Sequence, residues 1–345
     1  MPWVRKNVEQ MHAYTPGEQP TDPSVIKLNT NENPYPPSPR VLEAIRQVSP
    51  EQLRRYPNPD AQGFRDAASK IHGVSPDAIM ATNGGDELLA YVVRACAGER
   101  DRVAFLEPSY SLYPILASMQ GATPVVLPYA EEWTLPAQVP DAAVMLIVNP
   151  NAPSGTLLPP ETLREFAKKF RGVLLIDEAY VDFAPRHALA LVQECGNVIV
   201  LRTLSKGYSL AGLRFGYGIG PAPLLRELRK VRDSYPCDAV SIAAATAAIQ
   251  DQEYARATWT KVKSERDRLS AALRNLGFTL PESHANFVLA QSPRDARSLY
   301  EKLKERKILV RYFNLPRLSD KLRITVGTPE QNDRLIAELK DLLNR

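Results

Sequence analysis

Leu201-Arg202-Thr203-Leu204-Ser205-Lys206-Gly207-Tyr208-Ser209-Leu210-Ala211-Gly212-Leu213-Arg214-Phe215-Gly216 follows directly on the apolar run Val198-Ile199-Val200. Branched apolar side chains in a short run favour a buried strand, whereas glycine and serine at this density make poor helix. The stretch therefore reads as a strand end running into a loop built around Lys206, with a hydroxyl and an arginine placed to hold an anion. A lysine between serine and glycine is ordinarily a solvated surface group. Its meaning rests on what the rest of the chain sets beside it.

Other stretches carry the same signature of an apolar run ending in a polar turn. Gly172-Val173-Leu174-Leu175-Ile176-Asp177-Glu178-Ala179-Tyr180 ends a strand on an aspartate, which puts a carboxylate at the edge where open α/β sheets bind ligands. Val103-Ala104-Phe105-Leu106 leads to Glu107-Pro108-Ser109-Tyr110, and Val144 to Val148 leads to Asn149-Pro150-Asn151-Ala152-Pro153-Ser154-Gly155. Thr82-Asn83-Gly84-Gly85-Asp86-Glu87 opens the helical pattern Leu88 to Cys96; its free N–H groups and helix dipole make a natural seat for a phosphate. There is no Walker lysine and no Gly-x-Gly-x-x-Gly, which excludes the usual nucleotide loops. Short buried strands alternating with helical stretches predict a mostly parallel α/β sheet.

The flanks differ. Residues 1 to 37 read as an arm without helical or strand period, apart from a short strand at Val25-Ile26-Lys27-Leu28 before Asn29-Thr30-Asn31-Glu32-Asn33-Pro34. Helical patterns follow at Pro39 to Val48, Pro223 to Asp233, Val240 to Gln250 and Tyr254 to Leu276, the last closed by Gly277. The charges Arg226, Glu227, Arg229, Lys230 and Arg232 read as a solvated face. Ile308-Leu309-Val310-Arg311 and Lys321-Leu322-Arg323-Ile324-Thr325-Val326-Gly327 read as strands, each with an arginine among apolar neighbours. The division predicted is an arm over 1–40, a large domain over 41–250 and a small α+β domain over 251–345.

Composition sets bounds. The 345 residues suffice for two domains, and a net charge of +4 with acids and bases interspersed argues against nucleic-acid or membrane partners. Three scattered cysteines, Cys96, Cys195 and Cys237, with no Cys-x-x-Cys pair, argue against disulfides and a metal site and fit a reducing compartment. With no signal-like or membrane-length apolar stretch, the expectation is a cytoplasmic protein.

The lysine loop resembles that of the fold-type-I pyridoxal-phosphate aminotransferases, and within them most closely the histidinol-phosphate aminotransferases. The likeness extends in order through the Asn-Glu-Asn-Pro segment, the Gly-Gly-Asp-Glu turn, Pro-Ser-Tyr, Asp-Glu-Ala-Tyr and Leu-Arg-Ile-Thr-Val-Gly. It implies a large sheet domain with a small domain built from both termini, and pyridoxal 5'-phosphate as cofactor. Lys206 would bond to the cofactor aldehyde; Ser205 and Arg214 would hold its phosphate; Gly85, Asp86 and Thr203 would also bind the cofactor; Tyr110 would stack on its ring. Asp177 would pair with the ring nitrogen and Tyr180 with the 3-oxygen. Tyr56, in Arg-Tyr-Pro, would reach the phosphate held by a neighbouring subunit, which implies a homodimer. Tyr14, Asn33, Arg311 and Arg323 would meet the substrate.

One position departs from the pattern. Where the family has a second asparagine donating to the 3-oxygen, this chain has Ala152. Asn151 or Asn149 takes over the contact, or Tyr180 holds the oxygen alone. The activity implied is transfer of an amino group from L-histidinol phosphate to 2-oxoglutarate. An aromatic amino-acid aminotransferase, a threonine-phosphate decarboxylase and a non-catalytic cofactor-binding regulator are the competing readings, and the full catalytic set apart from residue 152 argues against the last.

Overall fold

The structure, a computed structural model, describes residues 3–344. Its centre is a seven-stranded sheet of β2 (Ile79–Thr82), β3 (Arg102–Glu107), β4 (Thr123–Pro128), β5 (Val144–Val148), β6 (Val173–Asp177), β7 (Val198–Thr203) and β8 (Gly216–Ile219) in the order β2-β8-β7-β6-β5-β3-β4. β8 alone runs against its neighbours, and the remaining strand pairs are parallel. The sheet is therefore mostly parallel, as the apolar runs predict.

Those runs lack polar alternation because both faces of the sheet are covered. Met145, Ile147, Leu174, Ile176, Val198 and Val200 join one core with Phe64, Phe166 and Tyr217. Their neighbours Val144, Leu146, Val148, Leu175 and Ile199 join a second core with Leu88, Phe105 and Tyr113. A strand's side-chain period of two sends successive residues to opposite layers, so continuous hydrophobicity is what a three-layer packing demands.

A third core belongs to both ends of the chain: Leu28 packs with Leu269, Leu273, Phe278, Leu299, Ile324, Leu335 and Leu342. Here β1 (Ile26–Lys27) pairs in parallel with β10 (Ile308–Leu309), and β11 (Arg311–Tyr312), β12 (Lys321–Thr325) and β9 (Phe287–Gln291) form an antiparallel sheet in the order β11-β12-β9. The helix Gln252–Asn275 leads into this region and stops where Gly277 takes φ +87, a left-handed value that glycine adopts without strain. Its start is tied down by Asp251, which accepts from the Ser38 hydroxyl and lies 3.7 Å from Arg40 Nε.

Three local expectations are revised. The arm contains a helix, Lys6–Gln10, too short to show a period, and Asn7 Nδ2 docks it by donating to Ser118 O at 2.7 Å. The run Ile308 to Arg311 is not one strand: it breaks at Val310, and its halves belong to two sheets. The helix expected over 223–233 is Ala222–Leu228, because the chain beyond turns inward: Arg229 Nη2 donates to Ile79 O at 2.9 Å and Arg232 pairs with Asp60 at 2.8 Å. Those two arginines are no solvated face.

Gly216 has no room for a side chain, since a Cβ would stand 2.6 Å from both Gly84 C and Gly85 N. We expect Gly216→Ala to lower unfolding stability by about 1–3 kcal/mol through this overpacking, read from denaturant midpoints.

Candidate active site

Because β2, β3, β5, β6 and β7 all point the same way, their carboxyl ends share one edge of the sheet. There the loops carrying Tyr110, Asn149, Asp177 and Lys206 converge with the N-terminus of helix Gly85–Cys96 and the entry to β8 at Arg214. This is the crevice in which open α/β sheets hold ligands.

The glycine turn and the arginine form a cradle. Gly84 has φ +82, and a Cβ there would stand 2.6 Å from Arg214 Nη2, so only glycine lets the guanidinium lie over the helix N-terminus. Arg214 takes a left-handed φ of 56 and lies 3.6 Å from Asp86 Oδ2. Asp86 Oδ1 accepts from Tyr110 Oη at 3.1 Å, so this carboxylate orients two groups, while the helix supplies the N–H donors. Thr203 Oγ1 and Ser205 Oγ, both buried, are 3.0 Å apart beside it. Hydroxyls, backbone N–H groups and a guanidinium together suit a phosphate.

Lys206 is held by its surroundings and not by an acid. Its Nζ donates to Thr30 O at 3.1 Å, and burial pulls its pKa down to about 8, with Glu32 opposing and Arg323, Lys27 and Arg214 adding to the fall. Glu32 itself is engaged by Lys27 and Thr30. The loop backbone is clamped by Asn33, whose Nδ2 donates to Lys206 O at 3.1 Å and Gly207 O at 3.3 Å, and by Trp259 Nε1, which donates to Gly207 O at 2.8 Å. Asn33, expected at the substrate, therefore serves the lysine loop instead: both amide hydrogens are engaged, and its Oδ1 accepts from Tyr35 N.

Asp177 is buried, and burial pushes its carboxyl up to about 7 against the pull of two donors: Tyr113 Oη at 3.0 Å and Ala179 N at 3.1 Å. Tyr180 is buried edge-on to Phe287, with ring centroids 5.0 Å apart, and its hydroxyl accepts from Asn31 Nδ2 at 3.1 Å. Asn151, expected to serve the cofactor ring, does not present a donor: its Nδ2 gives to Pro108 O at 3.3 Å and Ser154 Oγ at 2.8 Å. Asn149 is closed on Leu158 through both its amide atoms. Neither asparagine stands in for the one absent at Ala152.

Arg311 and Arg323 are directly opposite one another in the antiparallel pair β11–β12. Like charges facing across a ladder repel, so the arrangement calls for an anion between or above them. Both guanidinium groups lie against the ring of Phe313, at 5.2 and 5.4 Å from its centroid, and Arg323 also lies 5.3 Å from that of Phe287. Arg323 Nη2 donates to Asn29 O at 2.9 Å, but among the described residues its buried Nε has no partner. Tyr14, on the arm, meets Tyr110 edge-on at 5.9 Å. Tyr56 is elsewhere: it is 80% exposed and stacks on Tyr235 at 4.4 Å, outside this cluster.

The structure thus gathers Gly85, Asp86, Tyr110, Asp177, Tyr180, Thr203, Ser205, Lys206, Arg214, Tyr14, Arg311 and Arg323 at one edge and adds Asn31, Tyr113 and Phe313, which the sequence did not single out. Only the adjacency Arg311-Tyr312-Phe313 could have flagged the last. The set fits pyridoxal 5'-phosphate on its own terms: an anion cradle with a glycine floor, an amine that burial makes easier to deprotonate, and a buried carboxyl that needs a cation to stay ionised.

Two outcomes are expected. In the cofactor-free protein, acylation of Lys206 by an amine-directed reagent rises with pH and is half-maximal near about 8, because only the neutral amine reacts; peptide mass spectrometry reads this, and a midpoint in the range of exposed lysines would refute it. Arg214→Ala should weaken binding of pyridoxal phosphate about tenfold to hundredfold, measured by fluorescence titration, since a charge-assisted contact is lost.

Comparison with known proteins agrees with the geometry. The profile of the family described as aminotransferase class I and II matches residues 23–339. Histidinol-phosphate aminotransferase 1 of Trichormus variabilis is 52% identical over 99% of this chain and 99% of that protein. Histidinol-phosphate aminotransferase of Citrifermentans bemidjiense is 44% identical over 98% of each. Among solved structures, histidinol-phosphate aminotransferase from Sinorhizobium meliloti in complex with pyridoxal-5'-phosphate superposes with a TM-score of 0.91 at 27% identity, covering 100% of this chain and 98% of that one. The chain belongs to the histidinol-phosphate aminotransferases, within aminotransferase class I and II.

Proposed function

We propose that the protein transfers the amino group of L-histidinol phosphate to 2-oxoglutarate, yielding imidazole acetol phosphate and glutamate, as a cytoplasmic homodimer. The observation that carries the substrate class is the cross-strand pair Arg311 and Arg323 around Phe313. Two guanidinium groups on one face suit the doubly charged phosphate of the donor and, in the second half-reaction, a carboxylate of the acceptor. The free cysteines Cys96, Cys195 and Cys237 are in keeping with a reducing compartment.

Pyridoxal phosphate, when bound, supplies an aldehyde for the substrate amine and a protonated ring that accepts the electron pair of the α-carbon. The chain's own residues do the rest. Asp177 keeps the ring nitrogen protonated by offering a buried negative charge, and Tyr113 and the Ala179 N–H keep that carboxylate aimed. Lys206 would carry the proton taken from the substrate α-carbon, acting in turn as base and acid, as an amine whose pKa burial pulls down to about 8 can. Arg323, its Nε without a protein partner, anchors the substrate so that the α-carbon stays within reach of Lys206. Tyr56, exposed beside Tyr235, would reach the phosphate seat of a second subunit.

The deciding experiment mixes yellow holoenzyme, without 2-oxoglutarate, with histidinol phosphate, phenylalanine or threonine phosphate. Loss of the visible band with histidinol phosphate alone, and its return on adding 2-oxoglutarate, is the expected result. Bleaching by phenylalanine alone would make this an aromatic aminotransferase, and carbon dioxide from threonine phosphate a decarboxylase. Arg311→Ala should raise KM for histidinol phosphate by about tenfold or more. Mixing inactive Lys206→Ala with impaired Tyr56→Ala subunits should restore activity in the hybrid if sites are shared; no recovery would refute the shared site.

A further inference from the structure

With Ala152 lacking an amide, and the amides of Asn149 and Asn151 engaged elsewhere, the Tyr180 hydroxyl has one protein partner among the described residues: the Asn31 side chain. Asn31 comes from the arm, 149 residues away in sequence. It is 1% exposed and held at φ 59, in the left-handed region that asparagine tolerates better than most residues. Its backbone N–H donates to Thr325 Oγ1 at 3.0 Å, and its carbonyl accepts from Asn286 Nδ2 at 2.9 Å.

These contacts settle which way the amide points. The Thr325 hydroxyl accepts from the Asn31 N–H, and its one hydrogen finds a single acceptor among the described residues, Asn31 Oδ1 at 3.1 Å. The oxygen end of the amide therefore faces Thr325, and the NH2 end faces Tyr180. As the hydroxyl accepts from Asn31, its own hydrogen is left to point away, toward the site. Among the described residues no acceptor receives it.

We propose that Asn31 is a positioning residue that fixes Tyr180 as a donor to the ring oxygen of bound pyridoxal phosphate, in a chain whose residue 152 offers no donor of its own. A phenol that accepts one hydrogen bond gives a stronger one. Asn31 thereby draws electron density from the ring oxygen without touching it, and ties the arm, β12 and Tyr180 into one arrangement. The reading rests on pyridoxal phosphate as the cofactor and not on which amino donor is used, so a failed substrate assignment leaves it standing. Arg323, Asp177, Tyr14 and Tyr110 are the charged and titratable groups that also bear on Tyr180. They remain unchanged in the variants below.

The test is a pH titration of the visible absorption band of the holoenzyme without substrate. Withdrawal of a donor from the ring oxygen makes the nitrogen that Lys206 shares with the cofactor harder to deprotonate, so Asn31→Ala should raise the midpoint by about half a pH unit or more. Tyr180→Phe should raise it further, and adding Asn31→Ala on that background should change it by less than about a third of the single-variant shift, because the effect passes through Tyr180. Asn31→Asp keeps the shape of the side chain while turning the donor into an acceptor that competes for the Tyr180 proton. It should raise the midpoint at least as far, and it provides the test if the alanine variant folds poorly. An unmoved midpoint in both Asn31 variants, or a full additional shift on the Tyr180→Phe background, would overturn the proposal.

Discussion

Desolvation is the constraint on which this site depends. Asp177, Lys206 and Arg323 are all taken out of water at the edge of one sheet, yet among the described residues none of them forms an ion pair with another; each is held by hydroxyls, backbone groups or aromatic faces. Such burial disfavours charge, which is why the carboxyl is pushed up and the amine and guanidinium down. Paired with one another they would be inert structure. Left without counter-ions, they select a ligand that brings a cationic ring nitrogen, a reactive carbonyl and anions in a matching arrangement.

The supporting residues follow from that constraint. Tyr113 and the Ala179 N–H hold the Asp177 carboxylate, while Asn33 from the arm and Trp259 from the helix Gln252–Asn275 clamp the backbone of the lysine loop. Phe287 and Phe313 flank the Arg323 guanidinium, giving it a low-dielectric seat that still attracts a cation through the ring faces. A site of this kind is precise because its charged groups have few alternative partners toward which to drift.

The large sheet was legible in the sequence because strands covered on both faces are written as unbroken apolar runs, and Val144 to Val148 and Val173 to Asp177 have no other economical reading. Lys206, Asp177 and Arg214 were legible because each ends or follows such a run. The amides were not: Asn33 and Asn151 were assigned to ligands, but sequence does not say which carbonyl an asparagine's hydrogens will find, and here they find Lys206 O and Pro108 O. Asn31 and Tyr113 were missed for the same reason, since their partners lie 149 and 64 residues away. The break at Val310 was invisible because a change of sheet needs no change of hydrophobicity.

That pairing of Ile26 with Ile308 and Lys27 with Leu309 also orders events during synthesis. The first described strand has no ladder partner until residues 308 and 309 have been made, whereas the strands of the seven-stranded sheet find their ladder partners within 79 to 219. The arm must wait, and with it Thr30, Asn31 and Glu32, the residues that surround the lysine and the tyrosine. A nascent or C-terminally truncated chain can thus hold every strand-end residue of the crevice while lacking the pairing that seats the segment closing it. Residues 308 and 309 thus act as a completeness check, withholding the closed pocket from any chain that has not yet been translated past them.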